Sequence, residues 1–300
     1  KAAVIQLKNA LQNNPNLGEA RFLLGKALFD GGDPTAAEVE LRKANELKYP
    51  ADQVTPLLAR SQLMLGQSKK IIDDFAKVQL TSPESKADLQ TTLAQAYLMT
   101  GKLEAAQAAY DAALAAVPDY GPAIVGQARI KAGTRDLPGA LALLGTVLEK
   151  SPKLYEAWQL KGDILYAQGD AKGSSEAYSK ALEVKPDYLP AHSSLISRFL
   201  EEGNLEAAGK QLEAIKKIAP KHPMTSYLQA QIFYRQKNFK AAQEALQQYL
   251  KVLPDGTLGL QLAGAIEYEL KAYSMAQTYL LKALPKTPEL GLARRILIAS

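Results

Sequence analysis

The chain of 300 residues is 47% hydrophobic and 22% charged, a balance that excludes an intrinsically disordered polymer, and none of its apolar runs reaches the length of a membrane span. It has no cysteine, which excludes disulfides and thiolate metal sites. The net charge of +5 is thinly spread, with 17 Lys and Arg against 16 Asp and Glu in the first 150 residues and 19 against 15 in the rest. No continuous basic stripe of the kind that binds nucleic acid results, so no nucleic-acid partner is expected.

Residues 1–17 read as the second helix of a hairpin, with Ala3, Leu7 and Ala10 on one face and Pro15 ending it. From Gly18 a full hairpin follows: Leu24, Gly25 and Leu28 point inward and Gly31-Gly32 stop the first helix. Asp33-Pro34 then cap and start the second, which presents Ala37, Leu41 and Ala44. The unit starting near Asp52 is less regular, with Pro56 expected near the first turn of its first helix and Lys69-Lys70-Ile71-Ile72 and Phe75 replacing the usual small and aromatic residues. The next unit starts near Ala87, and from Leu89 the pattern is strong again through Leu93, Ala94, Tyr97, Gly101, Ala106, Tyr110 and Ala113. The unit from Gly121 turns on AGTRDLPGA, where Arg135 stands in the slot that other units give to Gly and Gly133 comes two residues early. A locally altered helix pairing is predicted there.

The stretch from Tyr155 to Pro186 is the clearest unit. Trp158, Gly162 and Leu165 share one helical face, Gly169-Asp170 form a stop and a start, and Ser174, Tyr178 and Ala181 share the second face. Further units start near Leu189, Pro223 and Thr257, with Asn204, Asn238 and Lys271-Ala272-Tyr273 at their inner turns, and Gly291 to Ser300 begins one more. Proline returns with a period of 34 residues at Pro118, Pro152, Pro186, Pro220, Pro254 and Pro288. A small residue recurs at Gly25, Ala59, Ala94, Ala128, Gly162, Ala230 and Gly264, with Ile196 the departure.

This period, the W-x3-G-x2-L start at Trp158 and the later small, aromatic and proline positions resemble the tetratricopeptide repeat (TPR). The resemblance implies an all-α fold: a right-handed superhelical TPR solenoid of antiparallel helix hairpins, about eight full repeats over residues 18–290, with partial repeats at 1–17 and 291–300. No Pro/Gly/Ser-rich linker interrupts the array, so residues 1–300 are expected to form a single solenoid, itself a fragment of a longer protein.

Catalytic spacing is missing. There is no phosphate-binding glycine loop and no H-E-x2-H, and the two histidines, His192 and His222, sit in a packing slot and beside an interrepeat proline. Neighbouring carboxylates such as Asp73-Asp74 and Glu201-Glu202 point in different directions on a helix. No catalytic residue, cofactor or metal is therefore expected, and the chain reads as a non-enzyme.

TPR resemblance implies that the first helix of each hairpin lines a concave groove. Carried onto this chain, one groove position reads Lys26, Arg60, Gln95, Arg129, Asp163, Ser197, Gln231 and Ala265, basic early and neutral later. A second, three residues on, reads Phe29, Leu63, Leu98, Ala132, Tyr166, Leu200, Tyr234 and Tyr268, with Tyr227 and Arg235 close by. Tyrosines suit a peptide or a sugar ring because each combines an apolar face with a hydroxyl. The two series contain no asparagine, which argues against the carboxylate clamp of chaperone-binding TPR proteins. Lys210, Lys216, Lys217, Lys221, Lys237 and Lys240, with Glu213 the single acid between Lys210 and Lys240, form a candidate edge for an anionic partner.

A narrower resemblance lies in three phrases: AVIQLKNALQNNPNLGEARFLLGKALFDGGDPTAAEVELRKANEL, then YPADQVTPLLARSQLMLGQ, then GQARIKAG. They are similar to the long TPR lipoproteins of the PEP-CTERM/exosortase system of Gram-negative bacteria, the PrsT family. That resemblance implies a periplasmic lipoprotein of the inner or outer membrane, its lipid anchor outside this stretch, serving as a scaffold in exopolysaccharide production and protein sorting. A protein or peptide partner, or a polysaccharide, would bind along the groove. The alternatives are an intracellular TPR adaptor for a peptide or helix, and the substrate-recruiting arm of a glycosyltransferase.

Overall fold

The computed structural model describes residues 2–284, and Pro288 and the segment 291–300 lie outside the described residues. Among the described residues there are seventeen α-helices and no strand. The described residues pack as two compact units that divide between Leu160 and Lys161. The first unit holds α1 (Ala2–Asn13), α2 (Gly18–Asp30), α3 (Pro34–Glu46), α4 (Ala51–Met64), α5 (Ser68–Phe75), α6 (Pro83–Met99), α7 (Leu103–Ala116), α8 (Gly121–Gly133) and α9 (Leu137–Lys150). Helix α10 (Tyr155–Ala167) contributes residues to both. The second unit continues with α11 (Ala171–Val184), α12 (Leu189–Glu201), α13 (Leu205–Ile218), α14 (Pro223–Arg235), α15 (Phe239–Val252), α16 (Thr257–Glu269) and α17 (Tyr273–Ala283).

Each inner turn of a hairpin is built the same way. One residue takes a left-handed conformation: Gly32, Gly66, Gly101, Arg135, Gly169, Gly203, Lys237 and Lys271, with φ between 59° and 81°. The next amide donates to a carbonyl in the last turn of the first helix, as in Asp136 N to Lys131 O (2.8 Å) and Asp170 N to Leu165 O (2.9 Å). This satisfies a carbonyl that the helix end leaves open. Asp33, Asp136, Asp170, Asn204 and Asn238 then cap the second helix by accepting from the amide three residues on. The altered pairing expected at Arg135 is absent, because Arg135 itself adopts φ +67° and reproduces the glycine geometry, while Gly133 stays helical.

The irregular second hairpin has a physical account. Pro56, in the second turn of α4, has no N–H for the carbonyl of Asp52, and the Ser85 hydroxyl donates to that carbonyl instead (2.8 Å). The Asp52 carboxylate accepts from the amides of Thr81 (2.8 Å) and Ser82 (3.2 Å) and from the Thr81 hydroxyl, which holds it below the usual carboxylate range. Helix α5 is short, and Ser82-Pro83 cap and open α6 four residues before Ala87, where the repeat was expected to start.

Each unit has its own core of small and branched residues. Ala37, Leu41, Leu58, Ala59, Ile71, Leu89 and Leu93 are buried together in the first, and Ile196, Leu212, Ile215, Leu228, Ala230, Leu246 and Ile266 in the second. The recurring small residue permits close approach. A Cβ on Gly162 would lie 2.5 Å from the Tyr178 ring, and one on Gly264 would lie 2.5 Å from Leu280.

Candidate functional site

The first helices are tied down at their starts, which fixes the faces they present. Trp158 Nε1 donates to Pro152 O (2.9 Å), and Arg21 Nε donates to Pro15 O (3.0 Å). His192 repeats the tie, its Nε2 lying 2.9 Å from Pro186 O while its Nδ1 meets Gln211 Oε1 at 2.7 Å. His222 accepts from the Met224 amide at the start of α14. Both histidines therefore serve helix starts. Among the described residues no group of three His, Cys, Asp or Glu could hold a metal, and no helix is long and apolar enough to cross a membrane.

In the second unit, α12, α14 and α16 line a cleft of about 390 Å³. It gathers Tyr227, Gln231, Tyr234 and Arg235, four of the residues singled out in the sequence, with Ser197, Leu200, Glu201, Leu258, Gln261, Leu262 and Ala265. Tyr227 forms the floor. It is 9% exposed, its ring lies 5.4 Å from that of Tyr249, and burial pushes its phenol up to about 12. Its hydroxyl accepts from Gln231 Nε2 (3.0 Å), while Gln231 Oε1 is buried with no partner. Tyr234 packs on Phe239 at the turn, and Arg235 is exposed with no ion pair among the described residues. Glu201, by contrast, is already engaged by Arg198.

The first unit has a cleft of similar volume, about 390 Å³, lined by Leu63, Gln95, Leu98, Met99, Tyr110, Pro122, Val125, Gly126, Arg129, Leu154 and Glu156. Gln95 and Arg129 were singled out in the sequence. Tyr110 supplies this floor from α7. It is 1% exposed, burial pushes its phenol up to about 12, and a Cβ on Gly126 would lie 2.1 Å from its ring.

The other candidates lie apart from these clefts. Lys26 is exposed, and Phe29 lies under the Arg60 guanidinium at 5.1 Å. Arg60 reaches Asp88 (3.8 Å), whose carboxyl is nonetheless raised by burial and accepts from Tyr120. Tyr166 is 44% exposed, donates to Glu201 and covers Arg198 at 5.5 Å. Tyr268 packs edge-on against Tyr273 (5.4 Å). The six lysines do not share one edge. Lys216 and Lys217 lie in the last turn of α13 and Lys221 just after it, whereas Lys237 and Lys240 lie at the N-terminal end of α15, a helix length of roughly 20 Å away. Lys210 pairs with Glu206 (2.6 Å) and Lys216 with Glu213 (2.9 Å).

On one wall of each cleft the groove series reaches only Ala265 and Arg129. Leu258, Gln261 and Leu262 in α16, and Pro122, Val125 and Gly126 in α8, come from the early turns of the following hairpin. The signal was present in the period itself, since a cleft between hairpins must draw on two different positions of the repeat.

Stacked hairpins with one left-handed turn residue each define a helical-repeat scaffold. A tetratricopeptide repeat model matches residues 1–45, 125–188, 160–223 and 227–290, and a second one matches 87–120. The chain belongs to the tetratricopeptide repeat family. It is 25% identical over 226 residues to Protein FlbA of Caulobacter vibrioides, across 64% of this chain, and it spans only 38% of the length of that relative. Among solved structures it is similar to a chain of the APC/C hetero-tetramer Cut9–Hcn1, with TM-score 0.72, 17% identity, 96% of this chain and 57% of that one. It is also similar to PilF of Pseudomonas aeruginosa, with TM-score 0.60, 16% identity, 73% of this chain and 99% of that one. A tetratricopeptide repeat protein of Parabacteroides merdae matches with TM-score 0.55, 18% identity, 93% of this chain and 97% of that one. At these identities the structural likeness concerns the fold.

Proposed function

We propose that this chain is a non-catalytic protein-interaction scaffold of the bacterial cell envelope, linked to exopolysaccharide production and PEP-CTERM protein sorting, that holds protein or peptide segments along its first-helix face. The observation that carries the binding role is the pair of clefts walled by first helices, each with a tyrosine floor, a glutamine and an exposed arginine without an ion pair among the described residues. Such a mixture of aromatic or aliphatic floor and few polar groups suits a peptide side chain and its backbone. Support for the envelope setting comes from the three phrases similar to the PrsT lipoproteins, and a periplasmic, lipid-anchored location follows from that resemblance.

The test is photo-crosslinking in the native cells, with a photoreactive residue at Arg235 or Met99 and a control at Lys172 on a second helix. Envelope components of polysaccharide assembly or protein sorting should be captured from the two cleft positions and not from the control. Capture of cytoplasmic proteins alone would replace the envelope scaffold by an intracellular adaptor. Equal capture from Lys172 would remove the clefts from the account.

A further inference from the structure

At one end of the second unit the helices α13 and α15 finish one repeat apart, with α14 packed against both. Each is antiparallel to α14, joined to it through a short turn, so their C-terminal ends point the same way. The last helical residues are Ile218 and Val252, which hold the same position in successive repeats and are 41% and 59% exposed. Leu253, the residue that closes α15, is 43% exposed. The matching last-turn positions in the first unit carry Lys150 in α9 and Ala116 in α7. Lys217, Lys221 and Lys251 flank the apolar trio in the chain, while Lys216 is paired with Glu213 (2.9 Å). Within 214–222 and 245–258 the single acid is Asp255, and Lys217, Lys221 and Lys251 make no ion pair among the described residues.

Lysines near helix C-termini complement the helix dipole, which accounts for cations there. It does not account for three exposed aliphatic side chains among them, which water disfavours. Apolar residues that project from helix ends and are flanked by cations match an interface where negative headgroups overlie hydrocarbon. We infer that this end of the second unit docks on an anionic lipid bilayer, with Ile218, Val252 and Leu253 entering the headgroup region and Lys217, Lys221 and Lys251 facing the lipid phosphates. The surface is distinct from the clefts and stands or falls independently of what they bind.

The experiment is flotation of the chain with phosphatidylcholine vesicles, with and without phosphatidylglycerol, at physiological salt. Binding is expected only with phosphatidylglycerol present. K217E/K221E/K251E should lower partitioning roughly a hundredfold, since each surface lysine contributes about fivefold or more. I218S/V252S/L253S should lower it by about tenfold through lost insertion. All six positions are exposed or at helix ends, and far-UV circular dichroism confirms that the variants keep their helices. Failure to bind phosphatidylglycerol vesicles overturns the inference. So does unchanged binding by the apolar variant, or equal affinity for soluble alginate, either of which would make the patch a site for anionic polymers instead.

Discussion

The two clefts occupy the same repeat positions four repeats apart, yet they differ in chemistry. Leu63 corresponds to Leu200, Gln95 to Gln231, Leu98 to Tyr234, Met99 to Arg235, Pro122 to Leu258, Val125 to Gln261 and Arg129 to Ala265. The glutamine is common to both. The cation changes walls: in the first unit it rises from α8 opposite Met99, and in the second from α14 opposite Ala265. The floor changes helices too, since Tyr110 comes from a second helix, while Tyr227 comes from a first helix at the position where the other unit has Thr91. Repeat geometry thus fixes where a cleft forms, and side chains decide what it reads. A segment that presents an anionic group to one cleft would present it to the wrong wall of the other.

The sharpest way to break this comparison is to remove a floor. Tyr227→Ala should cost about 3–5 kcal/mol, the range for deleting a buried aromatic, and Tyr110→Ala a similar amount. Tyr166→Ala should cost about 1 kcal/mol or less, because that ring is largely exposed. Urea denaturation followed by far-UV circular dichroism measures all three. A loss at Tyr166 as large as at Tyr227 would make it a core residue and erase the distinction between floor and rim.

That distinction was beyond the reach of the sequence, where Tyr166, Tyr227 and Tyr234 were all candidate contacts. Which tyrosine is buried depends on what the fold packs against its ring: Tyr249 of the paired helix α15 beside Tyr227, and open solvent beside much of Tyr166. Hairpin starts were far more legible. Gly18, Gly121, Tyr155, Leu189, Pro223 and Thr257 each open a helix as expected, because caps, prolines and small residues act locally. The helix expected from Ala87 opens instead at Pro83, where Ser82 supplies a local cap and the Thr81 and Ser82 amides also donate to the distant Asp52 carboxylate. Arg135 misled because its type disfavours the left-handed conformation that its turn nonetheless imposes.

Alkaline pH probes both floors together. A phenol raised to about 12 in the folded chain keeps its proton after the unfolded chain, with an ordinary value near 10, has begun to lose it. The unfolded state then binds fewer protons, so the contribution is complete below about pH 10 and is lost as pH rises towards about 12. Each such tyrosine steepens the fall by up to about 1.4 kcal/mol per pH unit. Tyr110→Phe and Tyr227→Phe should each flatten the stability profile above pH 10 by roughly that amount. A profile unchanged by Tyr110→Phe alone would mean that only the second unit has a dry phenolic floor.

The smallest effect concerns the turns, where the units also differ. Among the inner turns the first unit has one left-handed non-glycine residue, Arg135, and the second has two, Lys237 and Lys271. A side chain in that conformation costs about 1–2 kcal/mol, offset in part by the greater entropy glycine loses on folding, about 0.5–1 kcal/mol. Lys237→Gly should therefore stabilise the chain by about 0.5–1 kcal/mol, and Gly169→Ala, at φ +81° with open space around the added carbon, should destabilise it by about 1 kcal/mol. Thermal melts of the two variants compare the strain directly. If Lys237→Gly gave no gain, the lysine would have to supply a compensating interaction, and the carbonyls closing α14 are the acceptors within its reach.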